Sequence, residues 1–73
     1  MKTGFYIRNG YIYGSQSEDT KSYVEDGEII VGKRSSGYWI DDDGHIVDQA
    51  GGSTGFVVDD DEIFGPGQYL PWL

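Results

Sequence analysis

Seventy-three residues carrying thirteen acidic and five basic side chains have a net charge of −8, which repels nucleic-acid phosphates and anionic membrane surfaces. Cysteine is absent and there is one histidine, which excludes a disulfide framework, a thiolate nucleophile and a structural zinc site. A hydrophobic content of 37% with 15% aromatic residues is too rich for a disordered acidic tail, and no apolar run approaches the roughly 20 residues of a membrane-spanning helix.

The chain opens on Met1-Lys2-Thr3-Gly4-Phe5-Tyr6, without the apolar stretch of a secretory signal, so the expectation is a cytoplasmic protein with no nucleic-acid and no membrane partner. A first β-hairpin is predicted over 3–14, turning on Asn9-Gly10. Both central positions of a type I′ turn need positive φ, which Asn-Gly and Asp-Gly supply. A two-residue loop there sets Ile7 opposite Ile12 and Tyr6 opposite Tyr13. Because side chains alternate along a strand, Ile7, Ile12 and Phe5 share one face, and the two tyrosines lie on the other.

After the polar linker Ser15-Gln16-Ser17-Glu18-Asp19, a second hairpin over 20–32 turns on Asp26-Gly27. It pairs Val24 with Ile29 and Tyr23 with Ile30. Lys33-Arg34-Ser35-Ser36 then reads as a turn. The third hairpin, 36–48, carries Asp42-Asp43-Gly44, a three-residue connection with glycine at the left-handed position of a G1 bulge. The extra residue restores Ile40 opposite Ile46 and Trp39 opposite Val47. The fourth, 54–65, turns on Asp60-Asp61 and pairs Val58 with Ile63 and Val57 with Phe64. The tail, 66–73, has two prolines that forbid a central strand, yet Tyr69, Leu70, Trp72 and Leu73 make it too apolar to dangle. It reads as an aromatic cap over one end.

Ile12, Ile29, Ile46 and Ile63 stand at a constant interval of 17 residues. The predicted fold is therefore all-β and without helix: a single domain, 1–73, of four successive hairpins in a 17-residue repeat. The hairpins form a closed or ring-like antiparallel array, or else pair with a second copy. The eight aliphatic residues of the pairs Ile7–Ile12, Val24–Ile29, Ile40–Ile46 and Val58–Ile63 are expected to be the most buried.

The units Thr3-Gly4-Phe5-Tyr6-Ile7-Arg8-Asn9-Gly10-Tyr11-Ile12-Tyr13-Gly14 and Thr54-Gly55-Phe56-Val57-Val58 through Ile63-Phe64-Gly65-Pro66, with the closing Leu70-Pro71-Trp72, resemble short bacterial proteins described as five-fold β-flower proteins. The resemblance spans nearly the whole chain and implies a hairpin-repeat fold with no established activity. The chain shows four hairpins, and its second repeat reads Lys21-Ser22-Tyr23 where the others begin with Gly and an aromatic residue.

Functional chemistry is sparse. Ten acids (Glu25, Asp26, Glu28, Asp41, Asp42, Asp43, Asp59, Asp60, Asp61 and Glu62) sit at or beside turns, where Asp suits the backbone and charge discourages edge-to-edge association. They could instead form a negative pole for a basic partner or Ca²⁺, or mimic a nucleic-acid surface. An EF-hand alignment on Gly44 puts Trp39 and Ala50 at ligand positions, so no metal site is expected. No nucleophile elbow or phosphate-cradling motif is present. A hydrolase using tip carboxylates has no cleft to separate their pKa values. The expectation is a non-enzyme with no cofactor, acting as an interaction or structural module. Its contact residues are Tyr6, Tyr13, Tyr23, Trp39 and Phe64 on the repeated aromatic face, and its partner is itself or another protein.

Overall fold

At the first two hairpin tips the backbone does what the turn residues permit. Asn9 and Gly10 stand at φ 53° and 84°, and Asp26 and Gly27 at 52° and 82°, the paired positive φ values of a type I′ turn. At the third, Asp41 N–H donates to His45 O (2.9 Å) and Gly44 N–H to Asp41 O (3.0 Å), which encloses the three-residue loop. In the computed structural model, which describes residues 1–73, these tips join eight antiparallel strands. They are β1 (Lys2–Arg8), β2 (Tyr11–Tyr13), β3 (Asp19–Glu25), β4 (Glu28–Val31), β5 (Arg34–Ile40), β6 (His45–Asp48), β7 (Ser53–Asp59) and β8 (Glu62–Phe64). There is no helix, hence none long and apolar enough to cross a membrane.

Each of the cross-strand pairings expected within the hairpins is present: Ile7 with Ile12, Val24 with Ile29, Ile40 with Ile46 and Val58 with Ile63. The stretch Arg34-Ser35-Ser36 departs from the expected linker. It belongs to β5, with Arg34 opposite Val31 and Ser35 opposite Ile30, because Gly32 at φ 65° lets the chain reverse more tightly.

The strands follow one another round a closed barrel in chain order, and β1 completes it by pairing with β8. The outer edges of the first and last hairpins satisfy one another, so no sheet edge is left to recruit a neighbour.

Neighbouring hairpins are joined by register shifts, one for each long strand. At each shift a residue adopts positive φ: Gly4 (91°), Lys21 (65°), Gly37 (84°) and Gly55 (86°). A hydroxyl beside it spans the break. Thr3, Thr20 and Thr54 Oγ1 donate to the carbonyls of Ile63, Ile12 and Ile46 at 2.6–2.7 Å. The same oxygens accept from the N–H two residues on, as Ser36 Oγ does from Tyr38. Bulges of this kind bend a strand and sharpen its twist, which lets eight short strands close. A second bond recurs near the tips: Val24, Ile40, Val58 and Ile7 donate N–H to the carbonyls of Gly10, Gly27, Gly44 and Asp61 at 2.7–2.8 Å.

The interior is layered. Ile12, Ile29, Ile46 and Ile63, all from even-numbered strands, are fully buried at the centre. Their partners Ile7, Val24, Ile40 and Val58 pack against them from the tip side but stay half-buried. This corrects the expectation that all eight are the most buried side chains: four are, and Phe56 and Leu70 are buried ahead of the other four. On the far side the odd-numbered strands present Phe5, Ser22, Tyr38 and Phe56, of which Ser22 and Phe56 are buried. The tail runs over that end. Leu70 is buried within the core cluster, and Trp72 packs on Tyr38 with ring centroids 5.8 Å apart. Tyr69 and Leu73 are exposed.

The fourth tip places two non-glycine residues, Asp60 and Asp61, at φ 52° and 64°. The other three tips have Gly10, Gly27 and Gly44 at the position of Asp61. A left-handed L-residue costs about 1 kcal/mol or more, less for Asp than for most. Asp61→Gly should therefore raise stability by about 0.5–1 kcal/mol, seen as a higher urea midpoint at unchanged slope. A lower midpoint would show that Asp61's side chain holds the tip.

Candidate aromatic binding face

Residues that alternate with the core pairs point outward, which places the sequence-predicted contact residues on the barrel's outer surface. Tyr6 lies opposite Tyr13, Tyr23 opposite Ile30, Trp39 opposite Val47 and Phe64 opposite Val57. All of these are half-buried, lying over the strands with part of each side chain open to solvent. Rigid strands, not loops, hold the rings.

The five predicted residues do not form one patch. Tyr6 (β1) stacks on Tyr13 (β2), with centroids 5.6 Å apart and 26° between the planes. The next strand supplies Tyr23 (β3). Trp39 is on β5, four strands from β1 in either direction round the barrel. Phe64 is on β8, opposite Lys2. The continuous aromatic surface is the β1–β2–β3 sector, and it holds a tyrosine that sequence reasoning passed over. Tyr11 is 52% exposed, sits opposite Tyr23 and packs on it with centroids 6.0 Å apart. Its signal was legible. The first strand residue after each tip is Tyr11, Glu28, His45 and Glu62, and only the first of these is a Phe, Trp or Tyr.

Electrostatics divide the barrel along its axis. With strands alternating in direction round a closed barrel, all four tips lie at one end. That end gathers the ten turn-associated acids with Arg8 as its one Lys or Arg side chain. Lys21, Lys33 and Arg34 lie toward the other, with Glu18, Asp19 and Asp48, and Lys2 starts there too but reaches along the β1–β8 seam to Glu62. Counted by position in the chain, the tip end therefore carries −9 and the other end +1. Two ion pairs form, Lys2–Glu62 at 2.9 Å and Lys21–Asp19 at 3.8 Å, and Glu25 stands directly opposite Glu28 without a cation.

Several acids have work within the backbone. Asp41 Oδ1 accepts from the N–H of Asp43 and of His45, both at 2.9 Å, locking the third tip. Asp48 Oδ1 does the same for Ala50 and Gly52 at 3.0 and 2.8 Å. No group of three or more histidine or acidic side chains is placed to hold a metal ion. His45 is exposed at the start of β6.

No protein-family model, curated protein or solved structure matches the chain.

Proposed function

We propose that this protein is a non-enzymatic interaction module whose working surface is the outward aromatic face, either toward another protein or toward a second copy of itself. The observation that carries the reading is the stacked Tyr6–Tyr13 pair beside Tyr11–Tyr23 on the outside of a barrel whose interior is already filled by isoleucines. Apolar side chains that the core does not use, fixed on strands and open to water, are the ordinary composition of a contact surface. In this reading the four hairpins are copies of a 17-residue unit, related to the bacterial β-flower proteins. The tail is the cap of the array and takes the place of a further unit. The three threonine clamps, with Ser36 in the corresponding place, support such a repeat, because each sits at the same point of its own hairpin.

Two measurements test it together. Sedimentation equilibrium over a concentration series reports whether the chain self-associates, and a soluble nitroxide reports which rings meet solvent by broadening their NMR signals. Self-association abolished by Tyr13→Ser supports the reading. So does a monomer whose Tyr6, Tyr13 and Tyr23 rings broaden well above core residues. A monomer whose outer rings are as protected as Ile29 would overturn it, because nothing would then be able to reach the face.

The acidic end favours a basic partner as a second reading, since Glu25 and Glu28 oppose one another uncompensated and directly opposed like charges destabilise a sheet.

A further inference from the structure

The exposed tyrosine pair and the acidic end meet at one place. Tyr11 and Tyr23, with Glu25 and the Asn9–Gly10 tip, line a recess of about 200 Å³. Tyr11 keeps half its surface open, and Glu25 stands opposite Glu28 with no cation near either. The other member of that pair is engaged, because Glu28 Oε2 accepts a hydrogen bond from Ser35 Oγ. Glu25 is exposed and forms no salt bridge or side-chain hydrogen bond. We infer that this recess is a seat for an arginine side chain from a basic segment of a partner protein, with the guanidinium against the Tyr11–Tyr23 rings and paired with the Glu25 carboxylate. The inference rests on the aromatic-face reading above and names the partner chemistry for one sector of it.

Three observations favour a guanidinium. The chain's own Arg8 already shows the ring half of the arrangement, with its guanidinium carbon 6.0 Å from the Tyr6 ring centroid and no carboxylate paired with it. It serves the stacked pair and leaves the tilted one unfilled. A planar, weakly hydrated cation gains from ring faces and from a carboxylate at once, which a compact ammonium does less well. The concentration of negative charge at the tip end would also draw a basic segment toward this end of the barrel, raising the encounter rate and making it salt-sensitive. A larger cleft of about 450 Å³ runs along the β1–β8 seam beside Tyr6, Asp60 and Asp61, but Arg8 itself lines it, so its charge is already partly met.

The test is an NMR titration of the full chain, with ring-labelled tyrosine, against a capped tetra-arginine peptide, a capped tetralysine peptide and matched NaCl. Tyr69 is 88% exposed on the tail and serves as an internal reference for unspecific ring contact. The expected result is a saturable shift of the Tyr11 and Tyr23 ring signals with the arginine peptide, a smaller one with lysine, and none at Tyr69. Tyr11→Ser and Glu25→Gln should each weaken the arginine peptide about five- to tenfold, while Asp42→Asn, which removes the same charge from a different tip, should change it less than about twofold. Tyr11 and Glu25 are exposed, so neither variant threatens the fold. Equal losses in Glu25→Gln and Asp42→Asn with none in Tyr11→Ser would reduce the effect to general attraction by the acidic end and overturn the seat. Shifts confined to Tyr6, Tyr13 or Trp39 would also overturn it while leaving the aromatic face a binding surface. No shift at all would remove the arginine seat, and the nitroxide measurement would still judge the face.

Discussion

Removing residues 66–73 is expected to lower the stability of the barrel by about 4 kcal/mol or more, because the segment takes with it one fully packed aliphatic side chain and one large ring. Leu70 is 2% exposed inside the core cluster, and Trp72 leans on Tyr38 and on the same cluster. The loss should appear as a fall in melting temperature of roughly 20 °C for a chain of this size. The strand pairings should survive it, because β1 and β8 close the barrel through Lys2–Phe64 and Tyr6–Glu62 without any help from the tail. The truncated chain should therefore show β-sheet circular dichroism at low temperature and melt early. Tyr69→Ser and Leu73→Ser, at the exposed tail positions, should stay within about 0.5 kcal/mol of the parent. A truncated protein that melts with the full-length one would show that the interior does not need the tail. The cap assigned to it would then be abandoned.

How far this fold could be read from sequence varies along the chain for physical reasons. Tip positions were legible because type I′ turns demand residues that tolerate positive φ, and Asn9-Gly10 and Asp26-Gly27 announce themselves. Register followed from the tips, since a hairpin loop of known length leaves one pairing. Even the third hairpin yielded, because its extra loop residue was the only way to oppose Ile40 to Ile46. The breaks between hairpins were not legible. Gly37 and Gly55 could mark bulges, but Lys21 at φ 65° carries no such signal. It is held there by its surroundings: Thr20 bonded to Ile12 O, and Gly32 N–H donating to Lys21 O at 2.8 Å. Non-local hydrogen bonds of this sort leave no local pattern in the chain. Closure was one of two alternatives in the sequence, because a free-edged array and a ring have the same hairpins and differ in whether β1 meets β8.

The candidate face was legible in its residue types and not in its grouping. Alternation placed Tyr6, Tyr13, Tyr23, Trp39 and Phe64 on the outer side, but a barrel's curvature decides which outer residues are neighbours. It sends Trp39 to the opposite wall and gathers the tyrosines of β1, β2 and β3. Tyr11 belongs to that group through its pairing with Tyr23 across two hairpins, a contact that no single hairpin contains. The acidic pole was conditional on the tips pointing one way, and the up-and-down order of the barrel supplies that condition.

The same curvature explains why the eight aliphatic residues, alike in sequence pattern, should differ sharply when truncated. Ile46 is the centre of the third hairpin's core pair and is wholly inaccessible, whereas its partner Ile40 packs from the tip side and remains partly open. In a flat sheet the two would share one face on equal terms. In a barrel of short, strongly tilted strands, the residues of alternate strands sit at different heights, so one layer occupies the axis while the next lies toward the mouth. Ile46→Ala removes a side chain with neighbours on all sides and should cost about 3–4 kcal/mol, in the range of well-packed core truncations. Ile40→Ala leaves a gap that water or the flexible tip can partly fill, and should cost roughly half as much. Urea midpoints at constant slope would give both values on one scale. If the two substitutions cost the same, the core is not layered in this way, and the division of the four aliphatic pairs into axial and mouth positions fails with it.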